Sequence, residues 1–285
     1  MNLLNDVRKA REIFMHAGLA ALGKKTISVI QLRMIKLLYS QIDENELCAQ
    51  LVMSIRSCGV MFDIGAHRGT ALKPFLDNNF VVYAFEPDKK NREQLSTNFQ
   101  TSVDDVLHID PRAVSDQNSS GNIFYSSELS NGISGLSAFD ESHSKSGVVD
   151  TVTLETFCNE KKLTAIDYLK IDTEGFDFNV LKGLNFEKIT PQVILCEFED
   201  RKTLPLGYKW TDLANFLESQ GYIVLVFEWY PIRQYGDQHR FRELKRYPCL
   251  LRKDNAWGNL VAVRSQSAAD FIESKVKTCN KWKFL

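Results

Sequence analysis

The sequence predicts an α/β fold on a mostly parallel sheet. Three observations carry that expectation. From residue 58 onward, short apolar runs alternate with helix-like stretches, the spacing of strand–helix–strand units. The first run, "VMFDIGAHRGT" (60–70), breaks into a glycine turn at Gly65 and Gly69. Acids then close later strands, Glu86 after "VVYAF" and Asp172 after "YLKI". In open α/β sheets those strand ends are where ligands bind.

The elements follow in order. Residues 1–57 have helical character, with Val29, Ile30, Leu32, Ile35, Leu37 and Leu38 of "VIQLRMIKLLY" at three- and four-residue intervals. They are expected to form an N-terminal extension, and Lys24, Lys25, Arg33 and Lys36 beside the apolar face leave a homodimer contact or a peripheral membrane contact open. The domain spans 58–265. Its strands are "GVMFDIG", "FVVYAFEPD", "DVLHIDPRAVSD", "AIDYLKID", "QVILCEFE", "YIVLVFEW" and "NLVAVRS", which makes a seven-stranded sheet. Helices are expected at "TALKPFLDNN", "KKNREQLSTNFQ", "FDFNVLKGL" and "WTDLANFLESQG", and a C-terminal helix within 266–285. A Ser-, Gly- and Asn-rich stretch, "QNSSGNIFYSSELSNGISGLSAFDESHSKSG", interrupts the alternation and reads as a hairpin insertion or a binding loop.

Composition narrows the partners. Hydrophobic residues make up 44% of the 285 and charged residues 25%, enough for a core without disulfides. With 35 basic and 36 acidic side chains, no net field draws the chain to nucleic acid or to an anionic membrane. The six cysteines are scattered without a C-x-x-C pair and are expected to be reduced. The charged N-terminal segment lacks the apolar core of a signal peptide and no window is apolar enough for a membrane span, so a cytoplasmic location is expected.

A nicotinamide fold calls for G-x-G-x-x-G after its first strand. Here Asp63 stands first, giving D-x-G-x-x-x-G, a turn suited to S-adenosylmethionine (SAM), with Asp63 placed to meet an ammonium. Glu86, 23 residues on, can accept from both hydroxyls of a ribose, which either cofactor has. After the third strand, Asp110 can reach an adenine amine while Ala113 and Val114 offer apolar surface. The fourth strand ends "KIDTEGFD". Asp172 and Glu174, one residue apart, point the same way if extended, placed to remove or orient a proton on a hydroxyl or to hold a divalent ion. Asp177 reads as a capping or surface acid. Glu197, His143 and His239 are further candidate bases. The segment "FEWYPIRQYGDQHRFRELKRYP" mixes Trp229, Tyr230 and Phe241 with Arg240, Arg242 and Lys245, a composition suited to a sugar, a phosphate-bearing lipid-linked glycan or single-stranded nucleic acid.

These stretches, above all "VDTVTL" (149–154), "KIDTEG" (170–175) and "LKG" (181–183), resemble the FkbM family of SAM-dependent methyltransferases over roughly residues 58–265. The resemblance implies a Rossmann-like class I methyltransferase fold and O-methylation of a sugar, glycan, glycolipid or related natural product. By position it implies cofactor contacts from Asp63, Gly65, Ala66, His67, Gly69, Glu86, Asp110, Ala113 and Val114, and catalytic roles for Asp172 and Glu174. His67 departs from the asparagine often found there. No metal site is assigned and no nucleic-acid partner is expected. A nicotinamide-dependent oxidoreductase and a non-catalytic SAM-binding module are the alternatives.

Overall fold

A computed structural model describes residues 42–99, 105–127, 133–139, 141–231, 239–253 and 256–281. The chain divides into a compact unit of residues 43–275 and a second unit of 1–42 with 276–285. The apolar–basic helical pattern of residues 24–38 lies outside the described residues, as do the dimer and membrane contacts expected of it. Among the described residues no helix is long and apolar enough to cross a membrane.

In the larger unit the strands are β1 (Val60–Ile64), β2 (Val81–Phe85), β3 (Leu107–Asp110), β4 (Ala113–Val114), β5 (Ser119–Ser127), β6 (His143–Val152), β7 (Tyr168–Ile171), β8 (Val193–Glu199), β9 (Ile223–Trp229), β10 (Phe241–Arg246) and β11 (Trp257–Val263). The helices are α1 (Glu44–Ile55), α2 (Lys73–Leu76), α3 (Lys89–Asn98), α4 (Leu154–Lys161), α5 (Asp177–Lys182), α6 (Asp200–Thr203) and α7 (Trp210–Ser219), and α8 (Gln266–Lys281) begins here.

The main sheet has eight strands in the order β10-β9-β11-β8-β7-β1-β2-β3. β3, β2, β1, β7 and β8 pair in parallel. β11 runs antiparallel to both β8 and β9, which restores the common direction at β9. Six of the seven strands expected from sequence are present as expected, whereas "DVLHIDPRAVSD" breaks at Pro111, Leu107–Asp110 joining this sheet and Ala113–Val114 the smaller one. The eighth is β10, an antiparallel edge strand against β9. Its sequence, "FRELKR", carries no apolar alternation because neither of its faces is fully buried, and charge on a sheet edge discourages pairing with another chain. The expected hairpin, β5 with β6, gains β4 as a third strand and forms a separate small sheet. The expected helix "TALKPFLDNN" shrinks to the four residues of α2, with Pro74 in its first turn.

β1, β2, β7 and β8 read as near-continuous apolar runs because helices cover the sheet. On one face, Phe62 of β1 and Tyr83 and Phe85 of β2 surround Phe157 of α4, with ring centroids 5.6, 5.3 and 4.7 Å away. Burying such a ring contributes about 1.5–3 kcal/mol. α4 starts where the "VDTVTL" strand ends because the Thr153 hydroxyl caps it, accepting from the Thr156 N–H at 3.1 Å. Elsewhere on the sheet Tyr168 of β7 stacks on Phe75 at 5.0 Å, and its hydroxyl donates to Asn45 of α1.

The chain runs β1 to β2 to β3 toward one edge, then returns to β7 on the other side of β1. The reversal point lies between β1 and β7, and the predicted site residues gather at its C-terminal ends.

Candidate active site

β1 ends in a turn pressed against the tip of β7. Gly65 has φ +79°, and a Cβ there would lie 2.0 Å from the Asp172 carbonyl oxygen. Gly69, at φ +80°, would strike Leu95 and Phe99 around α3. The two glycines therefore allow close packing of protein on protein. Asp63, at the end of the strand, is buried and accepts from Lys170 Nζ at 2.9 Å, while its second carboxylate oxygen has no hydrogen-bond partner. Lys170 also lies 3.6 Å from Asp172. Burial pulls the Lys170 ammonium down, but the two carboxylates outweigh it and hold Lys170 above the usual lysine range.

A cleft of about 270 Å³ opens above this pair. On one side lie Gly65, His67 and Glu86. Glu86 accepts the His67 N–H at 2.7 Å on one oxygen and the Asp88 N–H at 2.8 Å on the other. Burial, outweighing these bonds, pushes its carboxyl up to about 7. His67 sits at φ 50°, with Nε2 buried and without a partner. Burial, then Arg68, holds its imidazole below the usual histidine value, which favours the uncharged ring.

Ala113 and Val114 form an apolar wall with Phe85 and Phe124. Ser134, Gly135 and Leu136, from the Ser-rich insertion, close the cleft over the β7 tip, and Gly135 is tied to Tyr125 by two main-chain bonds of 2.9 and 3.0 Å. The Ser134 hydroxyl is buried without a partner. Asp172, Thr173, Glu174 and Phe176 complete the lining.

Of the residues expected at the site, Gly65, His67, Glu86, Ala113, Val114, Asp172 and Glu174 line the cleft, whereas Asp63, Ala66 and Gly69 lie behind its wall. Asp110 is turned elsewhere: Arg112 holds it through contacts of 2.8 and 3.0 Å and bonds on to Glu160. Asp177 is neither a cap nor a surface acid. It is 1% exposed, accepts from the Thr173 hydroxyl and N–H and from the Glu197 N–H, and so ties the β7 tip to β8. Burial pushes it up to about 6. His143 lies in the small sheet, its Nε2 2.6 Å from the Ile133 carbonyl, and His239 packs edge-on against Trp257 at 4.7 Å. Neither lines the cleft.

The residue that sequence reasoning missed is Lys202 of α6. It is 4% exposed, and its ammonium lies 2.7 Å from Glu174, 2.6 Å from Glu197 and 3.2 Å from Glu199. Glu174 itself has φ 57°, a strained conformation for a residue with a side chain and one concentrated at functional sites. Burial pushes its carboxyl up to about 7 against the pull of Lys202. Asp172, Glu174 and Glu197 bring one oxygen each within 4.8 Å of one another, a spacing that suits a divalent ion. An ammonium already lies against two of the three. No motif announces Lys202; only the acid-ending strand "CEFED" upstream hints at a counter-ion.

An acid-tipped cleft at the reversal point of this strand order is the place where an α/β enzyme holds a nucleoside cofactor. Residues 63–224 match the family model of the methyltransferase FkbM domain, more than half of the chain, and the chain belongs to that family. The cofactor is SAM, and the nicotinamide alternative falls. No curated protein matches the sequence significantly. Among solved structures the chain is similar to precorrin-6y C5,15-methyltransferase from Geobacter metallireducens GS-15, at 16% identity and TM-score 0.40, over 77% of this chain and 88% of that one. It is similar to TrmK of M. capricolum in complex with S-adenosyl-homocysteine, at 12% identity and TM-score 0.39, over 76% and 67%. It is also similar to magnesium protoporphyrin IX methyltransferase from Synechocystis PCC 6803 with bound SAM, at 13% identity and TM-score 0.37, over 93% and 100%. At this similarity no acceptor or reaction carries across.

The residues present fit the cofactor. A carboxylate offers about four acceptor positions; Glu86 uses two on main-chain N–H groups, leaving two for a vicinal diol. His67 and Ser134, each with a buried partnerless atom, line the same cleft beside an apolar wall that suits a purine.

Proposed function

We propose that this chain is an O-methyltransferase acting on a hydroxyl of a sugar, glycan, glycolipid or related natural product. The observation that carries this reading is the carboxylate pair Asp172 and Glu174 lining the cofactor cleft at the β7 tip, with Glu174 paired to a buried ammonium. SAM supplies a methyl group already activated on a sulfonium, so positioning accounts for much of the catalysis. Glu86 holds the ribose, Ala113, Val114 and Phe124 flank the base, and Gly65 and His67 border the methionine end. Asp172, half exposed at the mouth, orients the acceptor hydroxyl. Glu174 accepts its proton as the acceptor oxygen gains the methyl group, and a carboxyl near 7 suits that exchange at neutral pH. The aromatic–basic surface of Tyr230, with Arg240 and Arg242 each 4.9 Å from its ring, favours a sugar-bearing acceptor.

The test is incubation with methyl-labelled SAM and cell glycans, followed by mass spectrometry of the labelled product. Asp172→Asn is expected to keep SAM affinity and lose about 10²-fold in transfer through misplacement of the hydroxyl. Full turnover in that variant removes Asp172 from the mechanism. Label on nitrogen or carbon rather than oxygen overturns the acceptor class.

A further inference from the structure

We propose that Lys202 is a positioning residue: its ammonium clamps Glu174 of the β7 tip and Glu197 of β8 into one pair and holds Glu174 as the proton acceptor at the cleft. The proposal rests on the reading of Glu174 given above and adds the group that makes that role available.

The geometry is specific. Lys202 follows β8 by three residues, on α6, and reaches back along its own strand to Glu197 and Glu199 and across to Glu174. Glu174 enters from a different strand, on a backbone turn strained at φ 57° and followed by Gly175 at φ 105°. A Cβ on Gly175 would lie 3.3 Å from the Lys202 carbonyl and Cβ, so this turn and α6 are packed together. The Tyr208 hydroxyl donates to the Gly175 carbonyl at 2.6 Å and fixes the turn from the far side.

The charges around Glu174 are unbalanced. Asp172 at the β7 tip and Asp177 on α5 face it with like charge, and Glu197 on β8, itself raised well above the usual glutamate value by burial, competes with it for the same ammonium. Lys170 is committed to Asp63 and Asp172, and Arg201 to Glu199 at 3.1 Å, so Lys202 is the cation in direct contact with Glu174 among the described residues. A buried carboxylate among like charges takes up a proton unless a cation is held against it, and once protonated it cannot accept another. The ring of Phe139 lies 5.7 Å from the Lys202 ammonium, so the insertion that roofs the cleft also covers the clamp.

The experiment is carbon-13 NMR of protein labelled at the glutamate carboxyls, with the Glu174 signal assigned from its loss in Glu174→Gln. The wild-type signal is expected to titrate at about 7. Lys202→Met should raise that midpoint by about one to three pH units, and Lys202→Arg should return it most of the way. Glu197→Gln should lower it, because Lys202 is then paired with Glu174 alone, with no second acid sharing its charge. An unmoved midpoint in Lys202→Met, or an upward move in Glu197→Gln, overturns the clamp. If Lys202→Met fails to fold, Glu197→Gln, which keeps the side chain's size and removes the acid that shares Lys202 with Glu174, still decides. The titration needs no acceptor, so absence of methyl transfer counts against the proposed function and leaves the clamp to its own result. With an acceptor in hand, the acid limb of the kcat profile should follow the midpoint from variant to variant.

Discussion

Glu86→Gln is the sharpest test of how the cleft holds its cofactor. The side chain is 5% exposed, and its two oxygens each accept one main-chain N–H, from His67 at 2.7 Å and Asp88 at 2.8 Å. Glutamine keeps the shape but presents one acceptor and one donor. One of those N–H groups then meets an N–H, and one of the two positions left for ribose hydroxyls is lost. A hydrogen bond to a charged group contributes about 1.5–3 kcal/mol. Losing one such bond, with the charge behind the other, costs about 2–3 kcal/mol of cofactor affinity, or about 30- to 150-fold in Kd. Calorimetric titration with SAM reads this directly. A second signature comes from protonation. Burial raises Glu86 to about 7, so a ribose that binds the carboxylate form releases a proton near neutrality, and the binding enthalpy varies with the buffer's ionisation heat. Glu86→Gln removes that variation. Wild-type affinity in a folded Glu86→Gln protein, or an undiminished buffer effect, refutes the assignment of Glu86 to the ribose.

Three more outcomes are expected. Glu44 of α1 is buried, accepts from Trp229 Nε1 at 2.6 Å, and is raised by burial from 4.5 to about 7. The native state thus holds its proton more tightly than the unfolded chain, a contribution fully present below 4.5 and lost as pH rises to about 7. It is worth about 3 kcal/mol across that window, and Glu44→Gln should flatten this part of the stability–pH curve measured by urea melts. Gly65→Ala should cost about 1–3 kcal/mol from the left-handed backbone before the clash with Asp172 is counted; an unchanged urea midpoint contradicts the packing described. Asp110→Ala should change SAM affinity less than about threefold, under about 0.7 kcal/mol, and cost about 0.2–1 kcal/mol of stability through the Arg112 pair. A larger loss of affinity returns Asp110 to the adenine.

The parts of the site legible in the sequence are local ones. The glycine turn, Glu86 and Asp172 sit at strand ends, where a run of apolar residues stops and the geometry of a parallel sheet turns the chain back toward a helix. Ala113 and Val114 were readable for the same reason. Asp110 occupies an equivalent strand end, yet two residues on Arg112 captures it, which strand patterning does not weigh. Asp177 was readable as an acid in a helix's first turn, but its burial depends on β8 arriving with the Glu197 N–H. Lys202 was illegible because its meaning comes from the acids of two strands meeting at one ammonium. β10 was passed over because an edge strand needs no apolar period. What folding adds to the motif is the set of partners that no spacing encodes.

β11 pairs with β8 on one side and β9 on the other, and β9 has no bond to β8. The sheet is therefore joined by the one of its strands that comes last in the chain. Until Trp257–Val263 emerges, the β9–β10 hairpin has no place to dock, and β8 presents an open edge to any neighbouring nascent chain. Chains stopped before residue 257 should need a chaperone holding that edge, and a synthetic peptide of residues 257–263 supplied in trans would be the natural competitor for it.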